Sequence, residues 1–499
     1  MNLDYSQFFH MMPEVTLMAL LVIVFIVDFV TAHKAPIVLT DEKTGPSPRP
    51  WFNPLVCIFM LAHILVNICP TESASVFGEM YVTSPIIGVV KTILAFGTLI
   101  VFIQARTWLS RPDSTFKEGE FYMLIISTLL GMNMMVSANH FLLFFLGLEM
   151  ASVPMACLVA FDKYRNNSAE AGAKFILTAT FSSGVMLYGL TFIYADAGSL
   201  YFNEVAKNLS ATPMTLMGMV FFFSGLGFKL SLVPFHFWTA DTYQGAPTTI
   251  TGYLSVVSKG AAAFALCAIL MKVFAPMVEY WQYLLFIVIV LSITIANLFA
   301  LRQRDLKRFM AFSSISQAGY IVLAIVGNTA MSFTALSFYV LIYVAANMAV
   351  FAVISSVEEH NQGKVNMDDY NGLYKTNPRL AFLMTLALFS LGGIPPFAGM
   401  FSKFFVFMAA VKGTSISTTS GALAYAVVFI ALINTVISLY YYLLIVKAMY
   451  IKHNDSPLPT FKSASSTKLA LAICTTGILL FGVCSMVYGW INSAAIASL

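Results

Sequence analysis

Four ionisable residues stand inside long apolar stretches of this sequence, and their types and spacing suit the transfer of protons. Glu149 lies within 140–161, Lys229 within 211–234, Lys259 within 248–274 and Lys403 within 379–410. A charge at membrane depth costs roughly 3 kcal/mol or more, so each such group is read as functional. Lys259 sits roughly 15 Å from either end of its stretch at helical rise, too deep for its ammonium to reach an interface. Lysine ordinarily releases its proton near about pH 10.4. Burial lowers that value and a nearby carboxylate raises it again. A buried lysine with a carboxylate at variable distance can therefore be loaded and unloaded. Glu149 and Lys229, of opposite charge, are expected to form that switch, with Lys259 as a relay and Lys403 as the next station. The 331–356 stretch between them offers Tyr339, Tyr343 and Asn347 but no charge, and Ser316 and Gln317 precede it as groups able to hold water. That is the thinnest part of the expected wire.

Three further lysines lie within apolar stretches. Lys272 and Lys91 are near the ends of theirs and are expected to snorkel to the interface. Lys174 sits about one turn inside its stretch, where a functional and an interfacial role are equally open.

The elements that carry these groups follow from composition. Of 499 residues, 59% are hydrophobic and only 10% charged, with mean hydropathy +0.82. Soluble domains carry about 25% charged residues, so most of this surface must meet lipid. The expected fold is an all-α polytopic membrane protein of about fourteen transmembrane helices: 12–31, 53–70, 84–107, 120–137, 140–161, 170–196, 211–234, 248–274, 281–301, 309–327, 331–356, 379–410, 422–449 and 469–491. Asp4 and Glu14 precede the first stretch with no basic region, which predicts an uncleaved first helix and not a signal peptide. Alternate loops hold nineteen basic residues and the opposite loops two, Lys207 and Lys412. The basic set, from Lys34, Lys43 and Arg49 through Lys163 and Arg165 to Lys468, is expected in the cytoplasm and both termini outside.

Composition also excludes functions. Cys57, Cys69, Cys157, Cys267, Cys474 and Cys484 form no metal-binding spacing and are expected to be small core hydrophobes. No phosphate-cradling glycine loop or haem motif is present. No basic stripe with interleaved aromatics suggests nucleic acid.

Two stretches contain helix breakers beside a lysine. SGLGFKLSLVPFHFW (224–238) holds Lys229, and SLGGIPPFAGMFSKF (390–404) holds Lys403. Proline removes a backbone donor and clashes with the preceding turn, so both helices are expected to break. Paired broken helices predict two inverted five-helix repeats, with ions passing at the breaks. The resulting organisation is 1–118 for the first three helices, 119–275 for the first repeat, 276–450 for the second and 451–499 for a last helix.

Four segments carry a family resemblance: FLGLEMASVP (145–154), FKLSLVPFHFWTADTYQGAPTTITGYLSVVSKGAAAFA (228–265), RDLKRFMAFSSISQAGY (304–320) and FSLGGIPPFAGMFSKFF (389–405). In this order they resemble the antiporter-like membrane subunits of bacterial respiratory complex I, the proton-pumping NADH:quinone oxidoreductase, over nearly the whole chain. Lysine at 403 and the end near fourteen helices match the N type, since M-type subunits carry glutamate at that place and L-type subunits extend into a lateral helix. The resemblance implies that Glu149 and Lys229 form the first half-channel pair, Lys259 the central connection and Lys403 the second half-channel lysine. It places Lys174 beside the pair. His236 and Asp241 fall in a cytoplasmic loop motif, and Asp305, Lys307 and Arg308 in another, as anchoring residues. It further implies an inner-membrane location, no cofactor in this subunit, and NADH, FMN, iron–sulfur clusters and quinone elsewhere in the parent complex. Other membrane subunits would be its partners. A subunit of a multisubunit Na⁺/H⁺ antiporter is the alternative, against which YQGAP (243–247) weighs.

Overall fold

The structure is a computed structural model describing all residues except 1–4, 32–48, 70–71, 112–113, 115–116, 163–164, 413, 455–457, 485 and 499. Asp4, Lys34, Lys43 and Lys163, on which expectations were placed, lie outside the described residues.

The chain is helical almost throughout. In order come α1 (Met12–Thr31), α2 (Phe52–Asn67), a hairpin of β1 (Ala74–Val76) and β2 (Tyr81–Thr83), α3 (Pro85–Leu109), α4 (Glu118–Val136), α5 (Phe141–Val159) and α6 (Asn166–Ala197). The short α7 (Phe202–Asn208) leads to α8 (Pro213–Leu230) and α9 (Phe237–Gly245). Then follow α10 (Thr248–Tyr253), α11 (Lys259–Lys272), α12 (Val278–Ala300), α13 (Leu306–Leu323), α14 (Ala330–His360), the one-turn α15 (Leu373–Thr376), α16 (Pro378–Gly392), α17 (Ala398–Val411), α18 (Thr419–Tyr450), α19 (Ser465–Val483) and α20 (Met486–Ala497).

Among the described residues, eleven helices are long and apolar enough to cross a membrane. The other three expected spans are the shorter α2, the serine-rich α13 and the broken α16/α17. The protein is thus a multi-span membrane protein with the expected helix order. One boundary differs: the last expected span is two helices, α19 ending at Cys484, where φ −95° and ψ 103° leave the helical region.

Burial explains the arrangement of the helices. α3, α10, α11, α13 and α14 are enclosed on nearly every side, whereas α1, α6 and α18 expose rows such as Phe25, Ile26 and Phe29, or Phe429, Leu432 and Val436. In water such rows would not be tolerated; here they face lipid or other subunits. Where helices pass closest, small residues make room. A Cβ on Gly131 would lie 2.6 Å from the Ala151 backbone nitrogen, and one on Gly147 would lie 2.6 Å from that of Met135. The α4 and α5 backbones therefore touch, as small residues permit in membrane bundles. The cysteines only partly match expectation: Cys267 and Cys474 are buried, but Cys69 and Cys157 are exposed, because a thiol facing lipid is as well solvated as one in the core.

The two ends of the bundle differ. At one, a cavity of ≈ 360 Å³ brings together Trp108, Arg111, Arg165, Gln244, Asp305, Lys307 and Glu358, so the basic loops share a face. At the other lie the β1–β2 hairpin, the α4–α5 turn and the α6–α7 loop, joined by isolated bridges Tyr81↔Ala138 and His140↔Tyr201.

Candidate functional site

The first break separates α8 from α9. Ser231 adopts φ 61°, a left-handed conformation, and stops α8 just after Lys229. A lysine in the last helical turn meets the negative end of the helix dipole. The broken segment is held from outside: Val233 N donates to Ser292 Oγ on α12 at 2.9 Å, and Trp238 Nε1 donates to the Phe228 carbonyl at 3.1 Å. Buried Lys229 points its Nζ at Ser152 Oγ on α5, 2.6 Å away.

Glu149 and Lys229 form no direct ion pair: Ser152, one turn beyond Glu149 on α5, takes the ammonium instead. Glu149 is half-buried and its Oε1 has no hydrogen-bond partner. Its backbone is in helical register with the exposed Leu142, Leu146 and Val153, yet the residue is only half-buried and its Oε1 is enclosed. Lys229 is buried and Ser152 takes its ammonium, while Glu149, one turn before that serine, keeps an enclosed and unpartnered Oε1.

Lys259 follows a π-helical turn, Leu254–Ser258, that links α10 to α11. Such turns insert an extra residue and concentrate at functional sites. Asn347 Nδ2 donates to Ser255 Oγ within that turn at 2.6 Å, so Asn347 fastens the turn and is not a link of the wire. Lys259 is 1% exposed; its Nζ donates to Ser314 Oγ at 2.8 Å and lies 5.5 Å from the centre of the Tyr243 ring. Ser314 also reaches Tyr243 Oη at 3.4 Å. No carboxylate is within ion-pair distance of Lys259, Lys229 or Lys403 among the described residues.

The second break separates α16 from α17. Gly393 takes φ 83°, where a side chain is strained, and Gly399 is required because its Cβ would lie 1.7 Å from the Ser390 carbonyl oxygen. Lys403 Nζ donates to the Gly392 carbonyl at 3.3 Å and lies 5.0 Å from the Tyr320 ring centre. The freed end of α16 thus finds its partner in the lysine itself, as a break inside a membrane requires. Both breaks contain a cis peptide bond, Val233–Pro234 and Pro395–Pro396.

The uncharged stretch is better furnished than the sequence suggests. Tyr339 Oη donates to Gln317 Oε1, Gln317 Nε2 donates to Tyr442 Oη at 3.2 Å, and Tyr442 Oη lies 2.5 Å from Ser313 Oγ. Ser313 adjoins Ser314, the partner of Lys259. At the far end, Gln317, Tyr339, Tyr343, Ser390, Ser402 and Lys403 line a cavity of ≈ 10 Å³, room for about one water. Ser316 is fully buried, and Tyr343 Oη is buried without a partner. Sequence reasoning missed Ser152, Tyr243, Ser313, Ser314 and Tyr442. Ser152 was detectable at one turn from Glu149 and Ser313–Ser314 within FSSISQ; nothing marked Tyr442 among its neighbouring tyrosines.

The remaining expected residues cluster on the basic face. Lys174 is half-buried and pairs with Asp241 at 2.7 Å and Glu170 at 2.6 Å, and Arg308 pairs with Asp241 at 2.6 Å. Lys174 therefore turns away from Lys229, because carboxylates at the face offer it partners that the apolar interior lacks. The Lys174 ammonium, and Arg308 beside it, hold the Asp241 carboxyl below the usual carboxylate range. His236 is buried at the first break with Nδ1 unpartnered. Asp305 caps α13 through Arg308 N at 2.9 Å, and Lys307 donates to the Ala246 carbonyl at 2.7 Å, consistent with anchoring. Lys272 is exposed at its helix end, as a snorkelling lysine should be. Lys91 is not: it is 3% exposed and bonded to Glu14 at 2.6 Å, a buried ion pair that replaces the expected snorkel.

A row of buried lysines joined by hydroxyl and amide groups, at two helix breaks and a π-turn, defines a class of antiporter-like membrane proteins. The chain belongs to the NADH:quinone oxidoreductase/Mrp antiporter transmembrane family, whose description matches residues 138–438. It is 57% identical over 495 residues to NADH-quinone oxidoreductase subunit N of Phocaeicola vulgatus, covering 99% of this chain and 100% of the relative. It is 47% identical to the subunit of the same name from Azobacteroides pseudotrichonymphae, covering 98% of each. Among solved structures, a chain of respiratory complex I from Thermus thermophilus matches with TM-score 0.78 and 27% identity, covering 98% of this chain and 100% of that one. A chain of the Mrp complex from Dietzia sp. has TM-score 0.78 at 18% identity, covering 100% and 98%, a likeness of fold.

Proposed function

We propose that this chain is a proton-translocating membrane subunit of NADH:quinone oxidoreductase, coupling electron transfer from NADH to quinone to proton movement along Glu149, Lys229, Lys259 and Lys403. The observation that carries the reading is Lys259: a buried lysine with no carboxylate partner among the described residues, its ammonium bonded to the Ser314 hydroxyl. Such a group is costly while charged and sheds that cost by giving up its proton, which suits it to pass protons on. From Lys259 the proton passes to Ser314 and, by way of water, to the group of Ser313, Tyr442, Gln317 and Tyr339, with water again completing the step to Lys403. Lys229 exchanges with Glu149 through Ser152, by hydroxyl rotation or a small shift of the lysine. His236, Asp241 and Lys174 shape the entrance at the basic face, with Ser316, Gln317 and Tyr343 supporting the middle.

The organisation that goes with this is two inverted repeats, 119–275 and 276–450, each with its break, preceded by three helices and followed by the C-terminal segment. The basic face is cytoplasmic and the hairpin face, with both termini, periplasmic in a bacterial inner membrane. The exposed stripe of Leu142, Leu146 and Val153 on α5, with the half-buried Glu149 beside it, supports contact with a neighbouring membrane subunit. Nicotinamide, flavin, iron–sulfur clusters and quinone belong to other parts of the parent complex. The identities to subunit N relatives favour this reading over a Na⁺/H⁺ antiporter subunit, which has the shared family and the fold likeness but no such identity behind it.

The test is NADH-driven acidification in proteoliposomes holding the assembled complex. Acidification that stops with a quinone-site inhibitor, and that falls in Lys229→Ala and Lys403→Ala, is expected. Acidification unchanged in both variants would overturn the assignment.

A further inference from the structure

Far from the lysine row, three titratable side chains meet where α1, α3 and the hairpin come together. Lys91 Nζ donates to Glu14 Oε1 at 2.6 Å and to Tyr81 Oη at 2.8 Å, and Tyr81 Oη donates to Glu14 Oε2 at 2.8 Å. All three are 3% exposed or less. Around them, His63 on α2 bonds Thr16 at 2.8 Å and Asn67 at 3.3 Å. A buried charge pair is weak evidence for stability in itself, since an apolar replacement of similar volume is often as good. What it specifies well is position.

The position it specifies leads to Glu149. Tyr81 opens β2, whose far edge is bonded to the α4–α5 turn: Val82 N donates to the Ser137 carbonyl at 2.9 Å, Asn139 N to the Met80 carbonyl at 2.9 Å, and Asn139 Nδ2 to the Glu79 carbonyl at 2.9 Å. The next residue, His140, caps α5 by accepting from Leu142 N at 3.0 Å. Glu149 and Ser152 stand on that helix, which cannot slide freely because Gly131 and Gly147 lock it against α4. Each link is a bond or a contact of backbones.

We propose that Glu14, Tyr81 and Lys91 form a positioning clamp that holds the hairpin, and through it the start of α5, so that the Glu149 carboxylate and Ser152 keep their register with Lys229. The clamp acts through geometry and carries no proton. This inference rests on the proposed proton role of Glu149, and the test separates the two.

The complex is reconstituted in proteoliposomes, and two quantities are read: protons moved per electron, and the infrared carboxyl band of Glu149, assigned by its loss in Glu149→Gln. Tyr81→Phe, which removes both hydroxyl bonds, is expected to lower pumping at least threefold and to shift that band. Asn139→Ala, at the other edge of the hairpin, is expected to shift the band in the same sense with the charge pair intact, which covers the case in which a triad variant does not assemble. The uncharged trio in E14Q/K91Q retains hydrogen-bonding partners for Tyr81 and is expected to pump within twofold of the native protein. An unshifted band in Tyr81→Phe or in Asn139→Ala overturns the clamp. So does E14Q/K91Q assembling with the band in place yet failing to pump, for then the charges themselves carry protons. Should Glu149→Gln pump normally, the role of Glu149 fails and not the linkage, which the band shift still reports through the Glu149 side chain.

Discussion

Gln317→Leu should cut the link between the two halves of the wire while leaving the fold standing. Gln317 is 1% exposed and, among the described residues, is the side chain that bonds both hydroxyls, accepting from Tyr339 and donating to Tyr442. Leucine fills similar space without polar atoms. Tyr442 retains Ser313 at 2.5 Å, but the Tyr339 hydroxyl loses its acceptor. A buried hydroxyl left unmade costs about 1–3 kcal/mol, small against the stability of a bundle this size. If the same loss falls on the barrier for proton passage, transfer slows about 5- to 150-fold. The assay is proton uptake with NADH as donor in proteoliposomes, alongside a melting curve of the assembled complex. Expected is a normal assembly with the proton-to-electron ratio or the turnover reduced at least fivefold. A complex that assembles, and in which both quantities stay within twofold of native, would refute the argument that Gln317 joins the half-channels.

Two further outcomes follow from the geometry. Gly399→Ala places a Cβ 1.7 Å from the Ser390 carbonyl oxygen, which is backbone of the opposing half of the break; the cost should reach the upper end of overpacking, about 3 kcal/mol, and show as a lower melting temperature and poor assembly. Asp241→Asn tests the basic face. The Asp241 carboxyl is held below its ordinary value by Lys174 and Arg308, so its contribution is present above the unfolded-state value of about 3.9 and is lost as pH falls through the lower folded-state value. The carboxylate is 35% exposed, and solvent screening limits that contribution to at most about 1 kcal/mol. Melting curves should therefore show native and variant converging only below about pH 4, and convergence already at neutral pH would contradict the cluster.

The fold was largely legible because membrane spans are written in single residues: apolar length, loop charge and proline. The breaks could be read from Pro234, Pro395 and Pro396, since a missing amide acts locally. Boundaries failed where no such mark exists, as at Cys484, where an apolar run hides the division between α19 and α20. The lysines of the site were legible because burial of a charge is visible in sequence. Their partners were not, because a serine becomes a ligand only when another helix brings it near. Ser152 displaced the expected carboxylate, and Lys91 found Glu14 across 77 residues of chain where its distance from the helix end had suggested the interface. The π-turn before Lys259 left no sign in LSVVS, whose composition suits an ordinary helix.

Passage of a proton through Lys259 is tested most directly by Lys259→Met, because methionine preserves the volume of the buried stem and removes only the titratable amine. Measured as protons translocated per NADH oxidised in sealed proteoliposomes, the account predicts a substantial fall in the ratio, or a turnover slowed at least tenfold. A Lys259→Met complex that assembles and pumps with the native ratio at the native rate would contradict it.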